Sequence, residues 1–325
     1  MKKFTKGALI TVLVLVILGS GLCATAAGIG FHYTSIPKMI SEGIFTIGPN
    51  FGNFSKWSQK WSENWNEAWN GNDWDDDWES WNAGNTQEYD FSTEDCANIK
   101  NLKLSVECGI VDIEEVPASQ GIHIEVKYKK ENSKRDISVN NSENTLEIKE
   151  KDAKKLVTND NVHVLLQIPK DMTFETVELK NSAGEVNVDY ALKVKDFSVI
   201  VGAGDCTLNK DLQVSGKLYA EVDAGEIDFS NINAAKLELN AGVGDINVDY
   251  ADAKEVTLDC GVGDIDITLA GKQKDYSYSI DCGVGDVEVG DSAYSGLGAT
   301  KEIKGGAKTV DIDCGVGDIT VDFKK

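Results

Sequence analysis

The chain has 325 residues, enough for one large domain or two small ones, and its 41% hydrophobic content supports a sizeable core. Its charge is unusual: 54 acidic residues against 32 basic give a net −22. Such a surface repels phosphate backbones, so nucleic acid is not expected as a partner; cationic peptides, cationic polymers and divalent metals are what the field attracts.

The N-terminus reads as a targeting segment. Lys2, Lys3 and Lys6 lie in a short cytoplasmic stretch, 1–6, before an uncharged run, 7–31, rich in Leu, Val and Ile. As a helix those 25 residues span about 37 Å, enough to cross a hydrocarbon core. Positive charge before the run and none within it places the N-terminus inside and the remainder of the chain outside. A cleavable signal peptide competes, because Ala24-Thr25-Ala26 has a small-x-small processing pattern. The apolar run continues past that site, which favours an uncleaved single-pass signal anchor. Leu22 before Cys23 excludes a lipoprotein signal.

Residues 32–86 form a linker with an acidic, tryptophan-rich segment. Trp57, Trp61, Trp65 and Trp69 recur every four residues, then Trp74, Trp78 and Trp81 follow. The spacing predicts two short helices, interrupted at Gly71 and Asn72, each with an aromatic stripe. Three uses fit such a stripe: covering the open end of the domain that follows, self-association or partner binding, or contact with lipid or glycan. Asp73, Asp75, Asp76, Asp77 and Glu79 weigh against an anionic bilayer.

From 87 to 173 the pattern becomes β. Alternating runs at 102–106, 122–128, 137–139, 146–148 and 162–169, with a hairpin turn across Asn140 to Asn144, read as strands of a cap. Cys108 to Ile113 reads as a degenerate first repeat. The regular array is expected from 174 to 325. There Gly-Val-Gly-Asp occurs at 242–245, 261–264, 283–286 and 315–318, with weaker copies at 182–185, 202–205 and 223–226. Up to Asp264 the acidic residue recurs every 19 to 21 residues, and the last two steps are longer and must hold inserted loops. A period of that size predicts an all-β parallel β-solenoid in which each strand–glycine turn–strand unit buries itself against its neighbours. Stacked about 4.8 Å apart, the repeats would align Asp245, Asp264, Asp286 and Asp318 in a ladder. Like charges at that spacing need compensation, either from backbone N–H groups of their own glycine turns or from a row of Ca²⁺ ions. The spacing differs from the nine-residue period of calcium-binding rolls, so no resident cofactor is expected and Ca²⁺ is the minor alternative.

By the repeat phrase Cys108, Cys260, Cys282 and Cys314 are expected to share one place in their repeats, where other copies carry Val201, Val222 and Ala241. Alternation puts Val256, Leu258, Cys260 and Val262 on one inward face, so these cysteines read as inert core thiols rather than disulfides or metal ligands. Phosphate loops and nucleophile motifs are missing from this sequence pattern: GVGD has no following Lys-Ser/Thr, and the histidines, His32, His123 and His163, have no nucleophile phrase beside them. No enzymatic activity is expected.

At this point the chain resembles the DUF4097 β-strand-repeat family, also labelled adhesin-like and related to membrane-anchored parts of Lia-type envelope stress systems in Gram-positive bacteria. The matching residues are Leu165-Leu166-Gln167-Ile168-Pro169 followed by phrases such as Ala183-Gly184-Glu185-Val186-Asn187-Val188, Val243-Gly244-Asp245-Ile246-Asn247-Val248 and Val316-Gly317-Asp318-Ile319-Thr320-Val321. The resemblance covers roughly residues 100–325. It implies a surface-exposed solenoid at the cell envelope, without catalysis, acting in adhesion or in an envelope-stress system. It does not extend to the tryptophan segment. Two functions therefore stand beside each other: an adhesin-like binding or structural module that contacts surface macromolecules or its own copies, and a stress sensor or accessory protein that captures cationic peptides or Ca²⁺ on its acidic face.

Overall fold

The computed structural model describes residues 85–129, 135–151, 162–295 and 299–324. The proposed membrane anchor at 7–31 and the seven tryptophans lie outside the described residues. Among the described residues thirteen strands form one mixed sheet, with one short α-helix, α1 (Thr93–Asn98), between β1 (Thr86–Phe91) and β2 (Asn101–Val106). The helix was not legible as a hydrophobic period. Its signal is a local capping box, in which Ser92 and Asp95 exchange hydrogen bonds and only Cys96 is buried.

The regular array is one extended ribbon, β8 (Thr173–Asp189) and then the 79-residue β9 (Leu192–Ala270), coiling upon itself. β8 pairs in parallel with the start of β9 at an offset of twenty residues, Gly184 opposite Gly204 and Glu185 opposite Asp205. Within β9 the corner glycines sit on one another. A Cβ built on Gly225 would lie 2.0 Å from the Gly204 carbonyl, and one on Gly263 would lie 2.1 Å from that of Gly244. Each turn presents three short inward segments, as in Leu237–Leu239–Ala241, Ile246–Val248 and Ala251–Ala253, all buried. Alternation supplies these inward faces, and bends at glycine and at polar positions separate them.

The stacking order departs from chain order at both ends. At the C-terminal side, β13 (Lys308–Lys324) pairs with the last turn of β9, Asp318 opposite Asp264. β10 (Tyr276–Val289) then pairs with the far edge of β13, Asp286 opposite Asp318. The last repeat in sequence is therefore the penultimate rung in space. At the N-terminal side, β2 and β3 (Gly109–Val116) form a rung directly on β8, with Leu102 opposite Val177 and Gly109 opposite Gly184. β6 (Thr145–Lys151) and β7 (Val162–Pro169) lie outside it. The cap expected over 87–173 thus contributes two rungs of the stack as well as its cover.

Antiparallel strands cover both ends. β4 (Ile122–Tyr128) pairs with β7 and β1 with β4, while β5 (Asp136–Ser142) pairs with β6 through a hairpin. Glu143 and Asn144 have φ of 50° and 63°, the two positive values a tight hairpin turn needs. β11 (Ser292–Ser295) and β12 (Ala299–Ile303) pair with β10 at the other end. The outermost strands are short and carry polar residues such as Asp136, Asn140 and Lys301, which discourages pairing with another chain. The chain's single arginine, Arg135, is buried against Glu150. Its Nε donates to Glu150 Oε1 at 2.8 Å, and the Glu107 N–H donates to Oε2 at 3.0 Å, tying β6 to the bend between β2 and β3.

Candidate binding ridge at the glycine corner

The four predicted aspartates do form one column, in the spatial order Asp245, Asp264, Asp318, Asp286. Their compensation is not the one expected. No carboxylate is seen capping its own turn; Asp245, Asp264 and Asp318 each accept from the aspartate of the next rung, and Asp286 ends the column. The Asp264 N–H donates to Asp245 Oδ1, the Asp318 N–H to Asp264 Oδ1, and the Asp286 N–H to Asp318 Oδ1, each at 3.0 Å. A charge-assisted bond to the neighbour's backbone offsets the repulsion that in-register stacking imposes. Among the described residues no group of three or more His, Cys, Asp or Glu is arranged to hold a metal ion.

The inward alternation expected for Val262 is overturned. Val256, Leu258 and Cys260 are buried, but Val262 is 48% exposed. Gly261 and Gly263 turn the backbone at the corner, Gly263 at φ 146°, so the residue between them leaves the inward series. Its equivalents behave alike: Val243 is 59% exposed, Val316 48% and Val284 44%, and these four are the large hydrophobic residues exposed among the described residues. Register places Val262 opposite Val316 and Val316 opposite Val284. They form a ridge along the stack.

A second acidic column runs on the other side of this ridge. Asp259 lies opposite Asp313, and Asp313 opposite Asp281, all exposed. Partial burial and then the neighbours Asp259, Asp281 and Asp311 push the Asp313 carboxyl above its usual range. Earlier turns are tuned similarly: burial and Asp228 raise both Asp205 and Glu226. Among the described residues no lysine, arginine or histidine pairs with any of the seven aspartates beside the ridge. The lysine pairs nearest in kind, such as Lys217–Glu238 and Lys308–Asp252, lie elsewhere on the turns.

Behind the ridge is the thiol column. Cys260, Cys314 and Cys282 are buried on consecutive rungs, and none of the three is in a disulfide. Their thiols donate to the carbonyls of Gly263, Gly317 and Gly285 at 2.9, 3.1 and 3.4 Å. The position therefore uses a small group that also satisfies a corner carbonyl, a role that an apolar reading of the site missed. Burial raises Cys260 to about 11 and Cys314 to about 12. Cys108 does not belong to this column. Val106 pairs with Asn181 and Gly109 with Gly184, so Val106 holds the equivalent place and Cys108 lies two residues later, half-buried. On β8 the place is taken by Asn181, buried, whose amide donates to the Gly109 and Glu185 carbonyls at 3.2 and 3.3 Å. Polar residues also recur at the N-terminal rungs: buried His163 meets Asp112 at 2.5 Å, and Asn187 donates to the same carboxylate at 3.1 Å. Burial alone would raise Asp112, but these two hydrogen bonds prevail and hold it below its usual value.

The repeat, its register and the corner phrase agree with a match to the DUF4097 sequence family, described as Toastrack, over residues 99–290 and 215–322. The chain belongs to the DUF4097 family. Solved structures similar to it include a candidate cell adhesion protein from Clostridium sporogenes ATCC 15579, at 14% identity and TM-score 0.31, covering 74% of this chain and 99% of that one. Candidate adhesins from Parabacteroides distasonis ATCC 8503 and Bacteroides fragilis NCTC 9343 are also similar. The first has 17% identity and TM-score 0.39, over 74% of this chain and 98% of its own. The second has 15% identity and TM-score 0.39, over 73% and 96%. No curated protein matches the chain. Within this DUF4097 member, the ridge of valines between two aspartate columns is the surface that departs most from an ordinary solvated face.

Proposed function

We propose that this DUF4097 protein is a membrane-anchored, surface-exposed adhesin-like protein of the bacterial cell envelope, binding or supporting other molecules without catalysis. Family membership supports the reading, together with one feature of the stack. Antiparallel strands cover its two ends, so its long flanks are the extended surface left for contact. The anchor at 7–31 would hold these flanks outside the membrane. Antibody labelling of a C-terminal epitope on intact cells tests the location, and cell–cell aggregation with and without the chain tests the role. Unlabelled cells, or aggregation that is the same in both strains, would sink the reading.

A second reading is an envelope-stress sensor or accessory protein that captures cations on its acidic face. It is favoured by the seven aspartates without a basic partner among the described residues. Capture by charge must weaken steeply as salt rises. Ca²⁺ is the simplest candidate. A melting temperature that responds to millimolar Ca²⁺ no more than to Na⁺ of equal ionic strength would remove it.

A further inference from the structure

We infer that the ridge Val243–Val262–Val316–Val284, with the aspartate column on each side, is a docking site for a cationic amphipathic helix of another molecule. The inference rests on the capture reading and names its surface and its partner. Four exposed valines on consecutive rungs span three gaps of about 4.8 Å, so the apolar strip is about 14 Å long. A helix rises about 1.5 Å per residue, so roughly ten residues cover that length and present an apolar residue each turn. An extended peptide laid along the ridge matches less well, because its same-side residues recur about every 6.8 Å rather than at the rung spacing.

Charge decides the occupant. Asp259, Asp313 and Asp281 line one flank, and Asp245, Asp264, Asp318 and Asp286 line the other. Both flanks belong to the same corner, since Asp259 stands three residues before Val262 and Asp264 two residues after it, and both keep their register on the next rung. A helix with a narrow apolar stripe and Lys or Arg on both sides fits this order of negative, apolar and negative. A second copy of this chain does not, because it would bring seven more carboxylates against the first seven. The chain's own tryptophan segment carries Asp73, Asp75, Asp76, Asp77 and Glu79 and is repelled likewise. Anionic lipid is excluded on the same ground. The earlier turns hold Ala183, Ala203 and Ala224 where the ridge has valine, so the apolar strip is confined to the C-terminal four rungs. Stacked valines also favour the local strand conformation, yet that preference is equally served by threonine, and this separates the two roles.

The test uses the full chain in nanodiscs of zwitterionic phosphatidylcholine, with empty nanodiscs as the control. The probes are a designed Lys/Leu amphipathic helix, a scrambled peptide of the same composition, and polylysine. The helix is expected to bind at 0.15 M salt at least tenfold more tightly than its scramble. The triple variant Val262→Thr, Val284→Thr, Val316→Thr should lose most of that margin with an unchanged melting temperature. Asp259→Asn with Asp313→Asn should weaken all three probes and flatten the salt dependence. If helix, scramble and polylysine bind alike, and the threonine variant binds as the parent does, the ridge is overturned while charge capture stands. If none of them binds at low salt, both fall.

Discussion

At the scale of single residues, the corner is held by atoms with no slack. Gly263 combines φ 146° with a neighbouring carbonyl 2.1 Å from where a Cβ would sit. Gly263→Ala therefore meets backbone strain and a backbone clash together, and is expected to cost on the order of 3 kcal/mol or more. Urea unfolding checks this; a change below about 1 kcal/mol would show that the rungs can separate locally. The thiols beneath make a second prediction. Cys260 and Cys314 are buried, hydrogen-bonded and raised to about 11 and 12. In the native protein at pH 8, iodoacetamide should leave both unmodified for hours, and modify them within minutes in denaturant. Mass mapping of the alkylated peptides reads the result. Rapid native labelling of either would mean that the corner opens.

At the scale of elements, the informative feature is the exchange of order between β10 and β13. Both contain the heptapeptide Ile-Asp-Cys-Gly-Val-Gly-Asp, at 280–286 and 312–318. Either could lie on the last turn of β9, whose own corner reads Asp-Cys-Gly-Val-Gly-Asp at 259–264. The fold uses β13 there and leaves β10 to carry β11 and β12. This sandwiches the C-terminal strand between two partners instead of leaving it at an edge. A chain ended after Ile303 is expected to remain folded, with β10 moving onto β9 in the same corner register. Hydrogen exchange should then show residues 255–270 still protected at a lowered melting temperature. Loss of protection there would mean that β10 cannot substitute and that β13 is obligatory.

At the scale of the whole molecule, in-register stacking turns one acidic residue per repeat into rows of carboxylate, and the pH response follows. Asp205, Glu226 and Asp313 are raised by burial and by neighbouring acids. A carboxylate raised in the folded state binds its proton more readily folded than unfolded, so stability falls as pH rises through its folded pKa. Asp112 has the opposite sign. It is held low, and its contribution is present above the unfolded value and lost as pH falls through the folded one. The melting temperature is thus expected to pass through a maximum in the acidic range, rising on acidification through the folded pKa values of the raised acids and falling again below about 4, the ordinary carboxylate value. Added salt at pH 8 should raise it too. A steady fall from pH 8 downward would show that the paired acids outweigh the stacked ones.

Periodicity alone determined the repeat, the strands from Leu102 to Pro169, the hairpin turn near Asn144 and the family, because alternation and glycine spacing are local properties that burial enforces residue by residue. The alignment of Asp245, Asp264, Asp318 and Asp286 followed from the same arithmetic. Three features were decided only in three dimensions. Near-identical repeats cannot encode which copy is whose neighbour, so the positions of β10, β13 and the β2–β3 rung are visible only in the strand pairing. Alternation predicts facing only while the backbone stays extended, so a valine between two glycines was free to point outward. Cys108 shares the Cys-Gly phrase with the thiol column, but its column membership depends on register, and register is set by pairing with β8. The ridge, which is the part of this protein with most to say about a partner, exists only because those outward valines were brought onto consecutive rungs.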